Sequence, residues 1–378
     1  MKFFVITGEP SGDKLGAEIF KVINKKLDNI KLKGVGGSEL KKLNIENIFP
    51  QKDINLMGFA EVLPVLHKII SRINFTVKEI IKEQPDFIIT IDAPDFNFRV
   101  INKLKKIGYN NSKIIHIVAP TVWAYREYRA KKIANLYDKL LVLLPFEPKY
   151  FLKYGLDTKF IGHPLLDKKK SFTNDLHKKY NITKKEPIIV ITLGSRKQEV
   201  ARFLPIIIKS LELFEENNIH ATIIFPINKR FNNEILKNKD RIKQKFHLIN
   251  DEEEKYYFYK YAIIAIAKSG TNNLEIASFS VPIITYYSVN FITYLILKLL
   301  VKTKFVNLIN IMAKKEVIPE LIQNHCSEKH IFDNVKILWN NKKLREEKIK
   351  QQNFYLKKFK VENENSSLIA ANEILNII

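Results

Sequence analysis

The chain alternates short apolar runs with longer segments whose apolar residues recur every three or four positions. The first pattern is typical of buried parallel strands, and the second is typical of amphipathic helices. Apolar runs of the first kind lie at Phe3–Thr7, Leu32–Val35, Phe87–Ile91, Lys113–Val118, Leu140–Leu143, Ile188–Thr192, Ala221–Phe225, Phe246–Ile249, Ala262–Ala267 and Pro282–Tyr286. Because helical patterns separate these runs, the sequence predicts an α/β protein built on parallel sheets.

A polar, weakly periodic stretch from Asp167 to Glu186 divides the strands into two groups. It predicts two doubly wound, Rossmann-like domains that face each other across a cleft. The predicted boundaries are an N-terminal domain at 1–167, a linker at 168–186, a second domain at 187–350, and C-terminal helices at 351–378. These helices are expected to pack back on an N-terminal domain, either their own or that of a neighbouring chain, which leaves a homodimer open.

The composition indicates the cellular compartment of the protein and the chemistry of its partners. A formal net charge of +23 over 378 residues indicates an acidic partner such as nucleic acid, an anionic membrane or a phosphorylated small molecule. Cys326 is the only cysteine, which excludes an intrachain disulfide and favours a reducing cytoplasm. The N-terminus lacks a signal-peptide pattern, and no apolar run reaches the roughly 18 residues of a membrane span.

A strand–turn–helix corner follows the run that ends at Ala267. Ser269, Gly270 and Thr271 form the turn, and the next residues resemble the first turns of a helix. Free backbone N–H groups, a helix dipole and two hydroxyls suit a diphosphate, while Glu275 can accept hydrogen bonds from a sugar diol. The alternative is an ordinary helix cap, since serine and threonine are common caps.

Other candidate groups also follow strand ends, where ligands bind in doubly wound sheets. Asp92 and Asp95 follow the strand Phe87–Ile91, where they either take part in chemistry or cap the next helix. Arg196 follows a Gly-Ser turn after the first strand of the second half. Its guanidinium suits a diphosphate leaving group, or it pairs with Glu199 on the surface.

Two segments are unusually apolar. Residues 55–70 become basic at Lys68 and Arg72, and the pattern alone favours a buried core helix over an element that enters a membrane surface. Residues 291–301 end in Lys302-Thr303-Lys304 and predict a helix. The pattern does not separate a helix buried on most sides from one that rests on a membrane.

Six motifs occur together in a characteristic order: Gly8-Glu9-Pro10-Ser11-Gly12-Asp13, Ile91-Asp92-Ala93-Pro94-Asp95-Phe96-Asn97, Ala119-Pro120-Thr121-Val122-Trp123-Ala124-Tyr125-Arg126, Phe160-Ile161-Gly162-His163-Pro164, Gly194-Ser195-Arg196 with Glu199, and Ser269-Gly270-Thr271 with Leu274-Glu275. In this order the chain resembles the lipid-A-disaccharide synthases over nearly its full length. The combination is far more specific than any single motif.

The resemblance implies a GT-B glycosyltransferase that is inverting and needs no metal or other cofactor. It implies transfer from UDP-2,3-diacylglucosamine to 2,3-diacylglucosamine 1-phosphate, with release of UDP, by a peripheral enzyme on the cytoplasmic face of a Gram-negative inner membrane. By this resemblance the donor site comprises Gly194, Ser195, Arg196, Ser269, Gly270, Thr271, Glu275 and Asn310. The acceptor side comprises Ser11, Gly12 and Asp13, with Asp92 and Asp95, and the patch for acyl chains and bilayer comprises Met57, Phe59, Leu63 and Leu66.

An inverting transfer needs a base for the acceptor proton and positive charge for the departing UDP. The resemblance makes Asp92 the first candidate for the base, Asp95 the second, and Arg196 the clamp on the leaving group. The chain departs from the family pattern at Leu193 and Ile309, where proline is usual, and at Asn272-Asn273, where small residues are usual.

Two other functions compete with this interpretation, and the sequence argues against both. A UDP-N-acetylglucosamine 2-epimerase would share the fold, but it would handle a soluble donor and have no use for the apolar segments. Nucleic-acid binding is not predicted, because the basic residues are dispersed among acidic ones and form no Arg-rich stripe or recognised module.

Overall fold

The computed structural model describes residues 1–54, 66–167, 172 and 175–377, except for the side chains of Leu66 and Ile296. The chain divides into two compact units. Unit 1 is Met1–Asp167 with Phe359–Ile378, and unit 2 is Lys168–Lys358.

Unit 1 is built on a parallel sheet in the order β3-β2-β1-β4-β5-β6-β7. Its strands are β1 (Lys2–Thr7), β2 (Lys31–Val35), β3 (Glu46–Asn47), β4 (Phe87–Ile91), β5 (Lys113–Ile117), β6 (Lys139–Val142) and β7 (Asp157–Phe160). Its α-helices are α1 (Pro10–Ile23), α2 (Ser38–Lys41), α3 (Leu66–Glu83), α4 (Pro94–Lys106), α5 (Arg129–Ala134), α6 (Pro148–Leu152) and the C-terminal α16 (Ser366–Leu375). The doubly wound order predicted from the strand and helix patterns is therefore present.

The sheet of unit 1 is covered on both faces. Along β1, Phe3 and Val5 pack in one apolar cluster, while Phe4 and Ile6 pack in the other. This alternation follows from the two-residue period of a strand, and burial on both faces explains why the strands are apolar at nearly every position.

The C-terminal segment packs on unit 1. Helix α16 adds Ile369 and Ile374 to the cluster that contains β1 and α1. Ser366 donates hydrogen bonds from its backbone N–H and its hydroxyl to Asp167, at 2.8 and 2.6 Å. The helix that precedes this segment, Lys342–Leu356, belongs to unit 2, so the returning segment begins at Phe359.

Unit 2 repeats the design with a parallel sheet in the order β10-β9-β8-β11-β12-β13. Its strands are β8 (Ile188–Thr192), β9 (Thr222–Pro226), β10 (Phe246–Ile249), β11 (Ala262–Lys268), β12 (Ile283–Tyr287) and β13 (Glu320–Ile322). Its α-helices are α7 (Leu176–Lys179), α8 (Lys197–Glu216), α9 (Asn232–Leu236), α10 (Glu252–Tyr261), α11 (Asn272–Ala277), α12 (Phe291–Leu300), α13 (Leu308–Ala313), α14 (Glu328–Asn340) and α15 (Lys342–Leu356).

Each sheet has one topological switch point, where the strand order reverses. In unit 1 it lies between β1 and β4, and in unit 2 it lies between β8 and β11. Loops that leave the carboxyl ends of two such strands turn to opposite faces of the sheet and open a crevice between them. Each unit therefore has one preferred place for a ligand.

Candidate active site

Both switch points carry motifs that the sequence singles out. The loop after β1 contains Gly8-Glu9-Pro10-Ser11-Gly12, and Asp92 follows β4 directly. In unit 2, Gly194-Ser195-Arg196 follows β8, and Ser269-Gly270-Thr271 follows β11. Four segments that are far apart in sequence thus fall at the two positions where a doubly wound sheet binds ligands.

A pocket of about 460 Å³ opens at the switch point of unit 2. Four neighbouring strands supply their last residues to its lining: Thr192, Pro226, Ile249 and Lys268. Gly194, Ser195, Ser269, Gly270, Thr271 and Glu275 also line it. Six of the eight residues predicted for the donor site therefore surround one cavity, whose volume is typical of small-molecule sites.

The turn after β8 is fixed by Glu199. Its carboxylate accepts the backbone N–H groups of Ser195 at 2.9 Å and Arg196 at 3.3 Å, and it pairs with Lys268 at 2.9 Å. Burial alone would raise the pKa of Glu199, but the bond to Lys268 holds it below its ordinary value. Gly194 has a φ of 105°, and a Cβ there would collide with the Glu199 carboxylate. Arg196 is the N-cap residue of α8 and is exposed beside this turn.

The two asparagines that depart from the family pattern brace the second turn. Asn272 lines the pocket and donates to the Thr192 hydroxyl at 2.8 Å, which joins the start of α11 to the end of β8. Asn273 is buried, donates to the carbonyl oxygen of Lys268 at 3.0 Å, and accepts from the Thr285 hydroxyl at 2.9 Å. The amide of Asn273 therefore points into the unit, and Asn273 does not line the pocket.

The helix after this turn is too short to have a strong macrodipole. Helix α11 has six residues, so its macrodipole is weaker than that of a full-length helix. The other polar groups of this turn that line the pocket are the hydroxyls of Ser269 and Thr271, the glycine backbone and the Lys268 ammonium group.

Glu275 is held with its carboxylate in the pocket. Its two oxygens accept from the Tyr256 hydroxyl at 2.6 Å and pair with the Lys255 ammonium at 3.0 Å, and only 6% of the residue is exposed. Each carboxylate oxygen has further lone pairs, so the fixed group can still accept hydrogen bonds from a diol.

Asn310 does not line the pocket. It is fully buried, donates to Ile318 O and Glu320 Oε1, and accepts the backbone N–H groups of Val317 and Ile318. All four hydrogen-bonding positions of its amide are used within unit 2. In this structure Asn310 shapes the segment before β13, and a contact with a donor would require these bonds to break.

A second pocket, of about 240 Å³, lies at the carboxyl ends of β4 and β5 in unit 1. Asp92, Asp95, Val118, Tyr125 and Arg129 are among its lining residues. Asp95 is 81% exposed at its side chain and pairs with Arg129 at 2.8 Å. Asp92 is half-buried, and burial raises the pKa of its carboxyl above the ordinary value.

Three residues with strained backbone lie at this second pocket. Asp92, Ala93 and Val118 have φ values of 57°, 43° and 75°. The left-handed region is unfavourable for residues with a Cβ, and most of all for a branched one, so the surrounding structure must hold them there. Asn97 does so from α4, because its amide donates to Asp92 O at 2.6 Å.

The acceptor-side residues of α1 divide into two groups. Gly12 is buried against Asp92, since a Cβ at residue 12 would lie 3.4 Å from Asp92 Cβ, and Ser11 is exposed one residue earlier. Asp13 instead faces the protein. It is 2% exposed, and its carboxylate accepts the backbone N–H groups at the start of α2, from Gly37 at 2.7 Å and from Glu39 at 2.8 Å.

The loop after β5 is anchored by a buried acid. Glu147 accepts from Trp123 Nε1 at 3.1 Å and from the backbone N–H of Leu144 at 3.0 Å. Burial raises the pKa of the Glu147 carboxyl to about 8. The Trp123 loop is therefore anchored by a group that takes up a proton when the protein folds.

We expect this proton to make stability pH-dependent. Because the folded-state pKa is raised, the contribution of Glu147 is complete below the ordinary value of 4.5 and is lost as the pH rises through about 8. Between these values the free energy of unfolding should fall by up to about 1.4 kcal/mol per pH unit. Urea unfolding of the wild type and Glu147→Gln should show a smaller pH slope in the variant. Parallel slopes would contradict this expectation.

The apolar patch predicted near residue 60 cannot be placed. Met57, Phe59 and Leu63 lie outside the described residues, and Leu66 begins α3 without a described side chain. The basic residues that follow are paired, because Asp53 accepts from Lys68 at 2.8 Å and from Arg72 at 2.5 Å. In the structure these two cations therefore stabilise a nearly buried carboxylate.

Sequence reasoning missed several residues of the unit 2 pocket. Lys268 is the last residue of β11, immediately before Ser-Gly-Thr, so its position at a strand end was a usable signal. Lys255 reaches the pocket from α10, and Tyr256 of the same helix holds Glu275 from behind; no pattern in the sequence connects either residue to Glu275.

The described residues contain no cluster of three or more His, Cys, Asp or Glu side chains arranged to hold a metal ion. None of the helices in the described ranges has both the length and the apolar character needed to span a bilayer.

Solved structures share this architecture. The S. aureus MnaA–UDP co-structure aligns over 100% of this chain and 97% of its own, with a TM-score of 0.66 and 15% identity. The Methanocaldococcus jannaschii UDP-GlcNAc 2-epimerase in complex with UDP-GlcNAc and UDP covers 100% of both chains, with a TM-score of 0.61 and 15% identity. A glycotransferase of kitacinnamycin has a TM-score of 0.64 at 11% identity, covering 99% of this chain and 98% of its own. These likenesses establish a GT-B fold, and the predicted fold class is confirmed.

Sequence comparison is more specific. A family model described as Lipid-A-disaccharide synthetase matches residues 3–373. Lipid-A-disaccharide synthase of Rickettsia bellii (strain OSU 85-389) is 42% identical over 346 residues, which are 90% of this chain and 89% of that protein. The Rickettsia prowazekii (strain Madrid E) enzyme of the same name is 40% identical over 98% of this chain and 97% of its own. The chain belongs to the lipid-A-disaccharide synthetase family, which confirms the predicted enzyme class, a hexosyltransferase of lipid A disaccharide synthesis.

Proposed function

We propose that this protein joins UDP-2,3-diacylglucosamine to 2,3-diacylglucosamine 1-phosphate with inversion and releases UDP. We further propose that it acts as a peripheral protein on the cytoplasmic face of the inner membrane. The observation that carries the proposal is the unit 2 pocket, which combines hydroxyl and backbone donors, Lys268 and a fixed Glu275 carboxylate in a cavity of about 460 Å³.

The donor side follows from the chemistry of that pocket. Ser269, Gly270 and Thr271 would bind the diphosphate together with the Gly194-Ser195 turn, and Glu275 would accept the ribose hydroxyls. Arg196 would add its charge at the mouth of the same turn. As the sugar–phosphate bond breaks, negative charge grows on the departing UDP, and fixed donors stabilise that charge most when they are already in place.

The acceptor side is proposed at the unit 1 pocket. The acceptor hydroxyl attacks the anomeric carbon and forms the new glycosidic bond, while the bond to UDP breaks and its electron pair leaves with the β-phosphate. The hydroxyl proton passes to Asp92, whose burial raises the pKa of its carboxyl and makes it a stronger base. Asp95 is the second candidate, although its exposure and its pairing with Arg129 favour a binding role.

The direct test is UDP release from UDP-2,3-diacylglucosamine by the purified protein, with and without 2,3-diacylglucosamine 1-phosphate. We expect release that depends on the acceptor, and a disaccharide product. Equal release without acceptor, or turnover of UDP-N-acetylglucosamine alone, would contradict the proposal and favour a 2-epimerase on the same fold.

A further inference from the structure

Helix α12 presents apolar side chains to water. The exposed fractions are 71% for Phe291, 72% for Ile292 and 86% for Leu299, and Leu295 is 45% exposed. None of the α12 side chains that the structure describes is buried. Soluble proteins rarely leave several large apolar groups together at the surface, and such a patch marks an interaction site.

Except for Leu300, which is 47% exposed on another side, the exposed apolar residues share one face of the helix. Ile292, Leu295 and Leu299 are spaced by three and four positions, and Phe291 adjoins them. Asn290 caps the helix by accepting the backbone N–H of Thr293 at 2.8 Å. Ten residues extend only about 15 Å, so this helix suits the plane of an interface and is too short to cross a bilayer.

Charge identifies the kind of surface that this face fits. Lys298 lies within α12, and Lys302 and Lys304 follow it. No residue between Glu275 and Glu316 is acidic, so the segment around α12 is uniformly basic. A second copy of the same face would be repelled, whereas anionic lipid head groups would be attracted to the lysines and the acyl region would accept the apolar side chains.

The segments on both sides of the helix are hydrogen-bonded to unit 2, and the one after it reaches the donor pocket. At its start, Val289 N donates to Gln323 Oε1 at 2.7 Å, at the end of β13. Beyond its end, Val306 O accepts the hydroxyl of Ser269 at 3.2 Å, and Ser269 lines the pocket. The position of α12 is thus linked through one short segment to the turn that is proposed to bind the diphosphate.

We infer that α12 is a membrane-docking helix of unit 2 that lies on an anionic bilayer, with its apolar face in the interfacial region and its lysines at the head groups. It holds the donor pocket next to the surface that carries a diacylated substrate. The identity of that substrate rests on the proposed function, whereas the docking itself rests on exposure and charge.

The test compares the full-length wild type with Phe291→Ser/Ile292→Ser/Leu299→Ser in sedimentation with vesicles of phosphatidylethanolamine and phosphatidylglycerol. The control, Ile337→Ser/Phe354→Ser, removes two side chains of unit 2 that are 56% and 59% exposed. We expect the triple variant to bind at least about tenfold more weakly, because each lost side chain removes apolar area from the interface. The control should bind as the wild type does, and wild-type binding should weaken with salt and on neutral phosphatidylcholine vesicles.

UDP release in detergent separates this inference from the proposed function. A triple variant that keeps detergent-supported turnover but loses vesicle binding supports the docking role. Equal vesicle binding by the wild type and the triple variant overturns it, and so does a wild-type dimer that the triple variant abolishes. A wild type that binds vesicles through α12 without releasing UDP would support docking and contradict only the proposed function.

Discussion

Arg196→Ala is expected to lower kcat for UDP release by about 10²- to 10³-fold, or about 3–4 kcal/mol in activation free energy. The guanidinium stands at the turn whose other residues, Gly194 and Ser195, line the proposed diphosphate site. Charge on the leaving group is greatest in the transition state, so its loss should act more on kcat than on KM. The measurement is steady-state kinetics with saturating acceptor.

Two further variants test whether the loss of rate is specific to the guanidinium group of Arg196. Arg196→Lys keeps a point charge without the planar fork and should recover part of the lost rate. Arg202→Ala removes an exposed arginine from the same helix and should leave kcat unchanged. If Arg196→Ala also leaves kcat unchanged while Lys268→Ala lowers it, the leaving-group role belongs to Lys268.

The architecture and the placement of the corners were predictable because they depend on local patterns. Apolar runs such as Phe87–Ile91 and Ile188–Thr192 match the observed strands, since a strand buried on both faces must be apolar at nearly every position. Helical spacing after each turn then requires a parallel sheet, and the rule for switch points brings Asp92, Gly194 and Ser269 to ligand-binding positions.

The direction of individual side chains was not predictable in the same way. The resemblance assigns Asp13 and Asn310 to substrate sites, yet the first caps α2 and the second binds the segment before β13. These contacts depend on segments that the chain brings together only on folding. Lys255 beside Glu275 is a comparable case, in which a residue 20 positions away supplies the partner.

For helix α12, the sequence pattern predicts the helix but not its surroundings. An apolar period predicts a helix, but the same period occurs in a buried helix and in one that rests on a membrane. Only the exposure of Phe291 and Leu299 separates the two interpretations. For residues 55–65, which lie outside the described ranges, the choice between a core helix and an acyl-binding patch stays a prediction.

Asp92→Asn is expected to lower kcat by about 10²- to 10⁴-fold, since the amide keeps the size of the side chain but cannot accept the acceptor's proton. The wild type should also lose kcat/KM on acidification at a higher pH than an ordinary aspartate would, because burial raises the pKa of Asp92 above 3.8 and only the ionised form acts as a base. The measurement is the pH profile of acceptor-dependent UDP release.

Stability supplies an independent check on the same group. Because the folded-state pKa of Asp92 is raised, its contribution to folding is complete below 3.8 and is lost as the pH rises through the folded-state value. The wild type should therefore lose stability relative to Asp92→Asn over that range, while Asp95→Asn, which changes an exposed carboxylate, should not show this trend. If Asp95→Asn abolishes turnover and Asp92→Asn does not, Asp95 is the base, and the half-buried, strained Asp92 serves to shape the acceptor pocket.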